Sequence, residues 1–264
     1  MSTGAKRIVA VTGATGAIGC AIARRIAAVP QTEVVLVARD ATRAVSVARS
    51  IQGETGNPAV RHELCDVSRK QEVEALGKRW AGPLHVLINN AATAPRRRET
   101  TPEGIERQFA TNVLGYYWMM QALTPALSLG APARIVNVAS YWAGDLDLDD
   151  LEFVRRPYDN DTAYRQSKQA DRMLTVAFAE ALAPLPITVN ACHPGDVASK
   201  LSRDLGFGGH ESPDQGADTP VWVATDETGG RRSGAYFQHR RESVCPFGRQ
   251  RAAVERLYHL CASY

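Results

Sequence analysis

The sequence predicts an α/β fold: one doubly wound parallel sheet of about seven strands with helices on both faces. Three observations carry this reading. Short β-branched runs recur along the chain, helical patterns lie between them, and a glycine-rich turn joins the first run to the first helix. The runs are Arg7–Val11, Val34–Ala38, Val60–Cys65, Leu84–Ile88, Arg134–Ala139, Ile187–Ala191 and Ala235–Gln238. They are continuously apolar rather than alternating, as strands covered on both faces must be. Repeated βα units of this length imply parallel pairing.

The helical patterns fall near 17–28, 41–52, 68–80, 102–128, 163–183, 215–224 and 249–262. Ser68 with Gln71 reads as a capping box, and Thr101 precedes Pro102 at a first helical position. Asp161-Thr162 opens the fifth helix, and Pro184 and Pro186 close it. Residues 141–161 and 199–214 are long loops, the second rich in glycine, and long loops in a compact domain are often lids. No repeat or shift in composition divides the chain, so residues 1–264 are expected to form a single domain.

Hydrophobic residues make up 44% and charged residues 22% of the 264, which excludes disordered, collagenous and coiled-coil classes. Lys and Arg exceed Asp and Glu by 3, and the basic pairs are scattered, so no nucleic-acid partner is expected. No run approaches 18 apolar residues, and Met1 to Lys6 reach the first strand without a signal-like segment; a soluble, cytoplasmic protein with no membrane span is expected. The five cysteines are far apart and form no metal-binding spacing, so they are read as reduced thiols serving as small core residues, with no metal.

The first run leads into Thr12-Gly13-Ala14-Thr15-Gly16-Ala17-Ile18-Gly19 and then a helix, the context a dinucleotide site of the Rossmann type requires. Gly13 allows a sharp turn, Gly16 lets backbone N–H groups approach a pyrophosphate, and Gly19 permits close helix–sheet packing. At the end of the second run, Ala38-Arg39-Asp40 offers a guanidinium where a carboxylate would select NAD(H). NADP(H) is therefore the expected coenzyme. Asp40 caps the helix starting at Ala41 in this reading; turned toward the ribose instead, it would neutralise Arg39.

Tyr164 and Lys168 are four apart on one helix face, more than 90° from the apolar stripe of Ala170, Met173, Leu174, Ala177, Phe178 and Ala181. That spacing alone proves little. Its surroundings are more telling: Ser140 ends the fifth run, Asn89-Asn90-Ala91-Ala92 ends the fourth, Asn112 lies in Thr111-Asn112-Val113-Leu114-Gly115, and His193-Pro194-Gly195 follows the sixth. With these residues the sequence resembles the short-chain dehydrogenase/reductase family, from about residue 7 to 237.

The resemblance implies a carbonyl/alcohol oxidoreductase. Tyr164 would be the acid/base, its phenol pKa lowered by the Lys168 ammonium and the nicotinamide charge. Lys168 would also hold the nicotinamide ribose. Ser140 would hydrogen-bond the substrate oxygen, and Asn112 would position a water linking Lys168 to solvent. The turn residues Gly13, Thr15, Gly16, Ala17, Ile18 and Gly19 would meet the coenzyme, with Arg39, Asp66 and Val67 near its adenosine. Asn90 and Ala91 would line it, and Pro194, Gly195 and Val197 would complete the nicotinamide end.

This chain has Ala17 where single-domain family members usually carry glycine, and Ala92 where glycine is also usual. Ala38-Arg39-Asp40, Asp149–Phe153 and Ser233–Phe237 resemble the retinol-dehydrogenase branch, which implies a small lipophilic or polycyclic substrate. A homodimer or homotetramer is expected, because Tyr116, Tyr117, Trp118, Met119 and Met120 are too contiguous for a one-sided stripe, and the family commonly pairs the helices bearing Asn112 and Tyr164.

Two other functions remain open: a non-redox enzyme such as a cyclase or epimerase, and a nucleotide-sensing regulator. Tyr141 and Trp142 either shape the substrate pocket or pack under the next loop. His193 is expected to be a structural turn residue. Arg96-Arg97-Arg98 is expected to be a solvated loop, its other reading being attraction of an anionic substrate.

Overall fold

The structure, a computed structural model, describes residues 6–264. The reading of the segment before Lys6 lies outside the described residues. The strands β1 (Arg7–Thr12), β2 (Thr32–Ala38), β3 (Val60–Leu64), β4 (Val86–Asn89), β5 (Ala133–Val138), β6 (Ile187–Cys192), β7 (Tyr236–Gln238) and β8 (Arg241–Ser243) form one sheet in the order β3-β2-β1-β4-β5-β6-β7-β8. The first seven are parallel, and β8 returns antiparallel against β7. Sequence reading finds seven of the eight. The missing strand follows a hairpin turn whose two left-handed positions, His239 and Arg240, carry side chains instead of the glycine or asparagine that marks such turns.

Alternate residues of each apolar run go to opposite faces. Val9, Val11, Val34, Leu36, Val136 and Val138 pack under α1 (Ala17–Ala27), α2 (Ala41–Thr55) and α7 (Pro213–Thr225). Ala10, Val35, Val37, Ala133 and Ile135 pack under α3 (Lys70–Arg79), α4 (Gly115–Leu129) and α5 (Asn160–Ala181). Two short helices, α6 (Lys200–Asp204) and α8 (Glu227–Gly230), flank α7, and α9 (Arg251–Ala262) ends the chain. Among the described residues no helix is long and apolar enough to cross a membrane.

Three expected helix starts move. Ser68 does not cap α3; its hydroxyl and N–H both donate to Asp66, and α3 begins at Lys70. The stretch after Thr101-Pro102 is a turn, and the helical backbone starts after Glu106, whose carboxylate accepts from the N–H groups of Gln108 and Phe109. Asp159, rather than Asp161, caps α5 by accepting from Thr162 N–H at 2.8 Å. At the last two starts an Asp or Glu carboxylate took the exposed N–H groups, whereas no side chain caps α3. Before α4 the backbone is wound as a π-helical turn, Phe109–Leu114.

The contiguous aromatic and Met cluster 116–120 is fully buried, but within one chain. Alpha-helix α9 lies on α5, with Tyr258 edge-on to Tyr117 and to Phe178 at centroid distances of 5.4 Å. The chain's own last helix thus covers Tyr117 and Phe178. Helix α5 is also buried on faces that its amphipathic pattern leaves to solvent, and Tyr164 and Lys168 lie inside, Lys168 against the Val138 carbonyl of β5 and the Tyr116 ring of α4. Replacing Leu257, wholly buried on the inner face of α9, with Ala should cost about 2–5 kcal/mol. The check is urea unfolding, with a lower midpoint at unchanged slope.

Candidate active site

The sheet order reverses direction between β1 and β4, and doubly wound folds bind ligands at the carboxyl ends of such a pair. Here the two chain ends are tied together by Thr12, whose buried Oγ1 accepts from the N–H groups of Asn90 at 2.8 Å and Ala91 at 3.1 Å. Asn90 returns the contact, its Nδ2 donating to the Thr12 carbonyl at 2.9 Å.

Gly13 turns the chain at φ +62°, and a Cβ there would stand 2.7 Å from the Ala91 Cα. At Gly19 a Cβ would collide with the Gly13 carbonyl and come within 2.6 Å of Asn90 Nδ2. Gly16 has only the Gly13 oxygen nearby, leaving its other side open. It is the N-cap of α1 with no side-chain cap, and no acidic residue occupies the first turn. The first intrahelical bond runs from Cys20 to Gly16, so the earlier N–H groups have no partner within the helix. That arrangement suits an anionic pyrophosphate.

A cleft of about 440 Å³ opens here. It is lined by Gly13, Thr15, Gly16, Ala17, Ile18, Gly19, Arg39, Asp66, Val67, Asn90 and Ala91, all of them anticipated. Sequence reading missed Arg43, one turn into α2, whose guanidinium donates to the Thr15 carbonyl at 3.0 Å. The i+4 spacing from Arg39 was the signal that could have found it. Asp40 caps α2, accepting from Arg43 N–H at 2.9 Å, so its carboxylate is engaged away from Arg39. Lys200, Leu201 and Asp204 of α6 form the opposite wall, which the glycine-rich loop reading did not resolve into a helix.

The expected reacting groups lie deeper and do not line this cleft. Asn112, Ser140, Tyr164 and Lys168 are all buried. Asn112 pins the strand-four turn, exchanging hydrogen bonds with the Thr93 backbone at 2.9 and 3.1 Å and donating to Ser167 of α5 at 3.1 Å. Ser140 accepts from Trp142 N–H at 3.0 Å, which orients its hydroxyl. Its carbonyl is held by Arg172, a buried guanidinium stacked 3.7 Å over Tyr236.

Burial pushes the Tyr164 phenol well above its ordinary range; the neighbouring Ser140 hydroxyl pulls it down, and Asp171 and Asp196 push it further up. The Lys168 ammonium, 5.8 Å from the Tyr164 ring centroid, is turned to Asp171 and the Val138 carbonyl. Pro194, Gly195 and Val197 also stand apart from the open cleft, because the loop after β6 folds back over them. Val197 pairs with Glu211, whose carboxylate occupies the space a Gly195 side chain would need. The loop is held by Asn160 donating to the Asp204 carbonyl at 3.0 Å and by Trp142 against Phe207 at 5.1 Å. Arg96, in the exposed arginine run, joins it by donating to the Arg203 carbonyl. His193 is buried edge-on to Tyr141, and burial lowers its imidazole to about 4, leaving it neutral as a packing residue.

Residues 7–206 match the sequence profile of the family described as short chain dehydrogenase. The chain belongs to that family. It is 33% identical over 258 residues to retinol dehydrogenase 13 of Mus musculus, covering 90% of this chain and 77% of the relative. A probable oxidoreductase of Streptomyces antibioticus is 34% identical over 254 residues, covering 88% of this chain and 85% of that one. A solved short chain dehydrogenase from Burkholderia cenocepacia in complex with NADP superposes with a TM-score of 0.69 at 27% identity, over 88% of this chain and 95% of its own. This short-chain dehydrogenase is thus an oxidoreductase of the carbonyl/alcohol type that uses a nicotinamide coenzyme, and the glycine turn, bare helix start and Arg pair fit that group.

Gly19→Val should abolish coenzyme binding, since the side chain cannot enter between Gly13 and Asn90 without moving both turns. Fluorescence titration with NADPH checks this, and an affinity equal to wild type would exclude the turn as the phosphate site.

Proposed function

We propose that the enzyme is an NADP(H)-dependent oxidoreductase that interconverts a carbonyl and an alcohol on a small lipophilic or polycyclic metabolite, with Tyr164 as the acid/base. The observation that carries the coenzyme choice is the commitment of Asp40 to capping α2, which leaves Arg39 and Arg43 as the cations at the adenosine end of the cleft without Asp40 to neutralise them. The two guanidiniums suit a ribose 2′-phosphate, with Asp66 kept back by its hydrogen bonds to Ser68.

The coenzyme, when bound, supplies the two-electron redox chemistry. For carbonyl reduction, the Tyr164 phenol gives its proton to the substrate oxygen as charge develops there, and Ser140 donates a hydrogen bond to the same oxygen. The upward shift of the phenol keeps it loaded with a proton at neutral pH, the form that reduction uses. Arg172 and the Trp142 N–H hold the Ser140 segment, and Asn112 fixes the distance between the Thr93 turn and α5. Trp142, Phe207 and half-exposed Tyr141 offer aromatic faces to an apolar substrate, in keeping with a relative named for retinol.

Tyr164→Phe should abolish turnover while coenzyme affinity stays within a fewfold, because only the proton is lost; a variant retaining a tenth of wild-type reduction would refute the assignment. Ser140→Ala should fall about 10²–10³-fold in kcat.

Charge-assisted bonds of about 1.5–3 kcal/mol from Arg39 correspond to a preference for NADPH over NADH of roughly 10- to 150-fold in kcat/KM. The double change Ala38→Asp with Arg39→Ile should reverse it. Wild-type preference for NADH would overturn the coenzyme reading.

A further inference from the structure

Lys168 and Asp171 are three apart on α5 and share a face. The ammonium lies 2.8 Å from Asp171 Oδ2 and 3.1 Å from the Val138 carbonyl, with side-chain exposures of 2% for Lys168 and 0% for Asp171. Asp171 Oδ1 has no hydrogen-bond partner among the described residues. A fully buried carboxylate with one oxygen unpaired is costly, so stability is a poor reason for its presence.

The chamber around the pair is built from four other elements. Tyr116 of α4 sets its ring 5.1 Å from the ammonium and donates its own hydroxyl to the Val138 carbonyl. Cys192 closes the side toward β6, Cys261 faces from α9, and Tyr164 stands one turn back on α5, its ring centroid 5.8 Å from Lys168 Nζ. Asp196, in the loop after β6, also acts on Tyr164. Burial raises the phenols and thiols, which therefore stay neutral. Lys168 and Asp171 are the charged pair at the centre.

We propose that Asp171 is a positioning residue for Lys168: its carboxylate holds the ammonium inside the protein, screens that charge from Tyr164, and competes for it with the ribose of an arriving coenzyme. The proposal rests on the reading of Tyr164 and Lys168 given above. Burial works against the lysine charge, yet Asp171 keeps it protonated. Burial lifts the Asp171 carboxyl to about 6 despite its partner. Coenzyme binding that draws Lys168 away leaves Asp171 to take up a proton, so binding should strengthen as pH falls toward about 6 and level off below it, where Asp171 is already protonated in the free enzyme.

Asp171→Asn removes the competitor at constant size. It should bind coenzyme several-fold more tightly and flatten the pH dependence of that binding, because the group that takes up the proton is gone. Asp171→Glu, which restores the charge, should restore the pH dependence. A purely structural role would lower thermal stability and leave both readouts in place, and a folded Asp171→Asn enzyme with unchanged coenzyme affinity and unchanged pH dependence of binding overturns the proposal. If that variant does not fold, wild-type titration with NADH, which lacks the 2′-phosphate that titrates in this range, decides. A Kd that is flat from about pH 5 to 8 refutes the competition. Turnover surviving in Tyr164→Phe would remove the acid/base reading beneath it, whereas the coenzyme titrations bear on Asp171 whether or not Tyr164 reacts.

Discussion

Thr12 ends β1 with its hydroxyl buried between two chain segments that leave the sheet in opposite directions. By accepting from both Asn90 and Ala91, that oxygen satisfies two N–H groups at the point where parallel pairing stops. The glycine turn and the strand-four turn are consequently fixed against each other within a few ångströms. The start of α1, the Asn112 contact to Thr93 and the seating of α5 through Ser167 all follow from that junction.

Most of the sheet was legible because its strands are buried on both faces and announce themselves as unbroken apolar runs. The glycine turn was legible for a related reason: Gly13 and Gly19 answer steric demands that no other residue meets. What escaped has an equally physical cause. Helix starts were misassigned where two polar residues compete for the same N–H groups, as Asp159 and Asp161 do, and sequence alone does not say which carboxylate is within reach. The strand β8 escaped because its turn uses His239 and Arg240 in strained positions.

Partner choice among charged residues was the least legible feature of the candidate site. Periodicity placed Lys168 away from the apolar stripe, which reads as solvent-facing. The structure buries it against the Val138 carbonyl of β5 and the Tyr116 ring of α4, on the side that an isolated amphipathic helix would leave wet. Burial then forces a choice of counterion, and Asp171 is the carboxylate one turn away. Arg172 is treated differently: lacking a carboxylate, it spreads its charge over the Ser140 carbonyl, the Tyr236 hydroxyl and an aromatic face. One helix thus carries two buried cations satisfied by two separate means, Lys168 by a carboxylate and Arg172 by neutral oxygens and an aromatic face.

The π-helical turn at Phe109–Leu114 has a consequence for how this segment tolerates change. A turn closed by i→i+5 bonds holds one residue more than an α-turn, and each residue advances a helix by about 100°. Glu106 before the turn and Gly115 after it therefore occupy faces that an unbroken α-helix would not give them. Gly115 is thereby brought against the Val67 carbonyl, where a Cβ would stand at 2.9 Å. Dropping a single residue between 109 and 114 would leave every flanking sequence intact and still rotate one half of the helix against the other. Substitutions here change contacts one at a time, whereas a change in length resets the phase of the whole wall, so related chains that keep this architecture should differ here in composition but hardly ever in residue count.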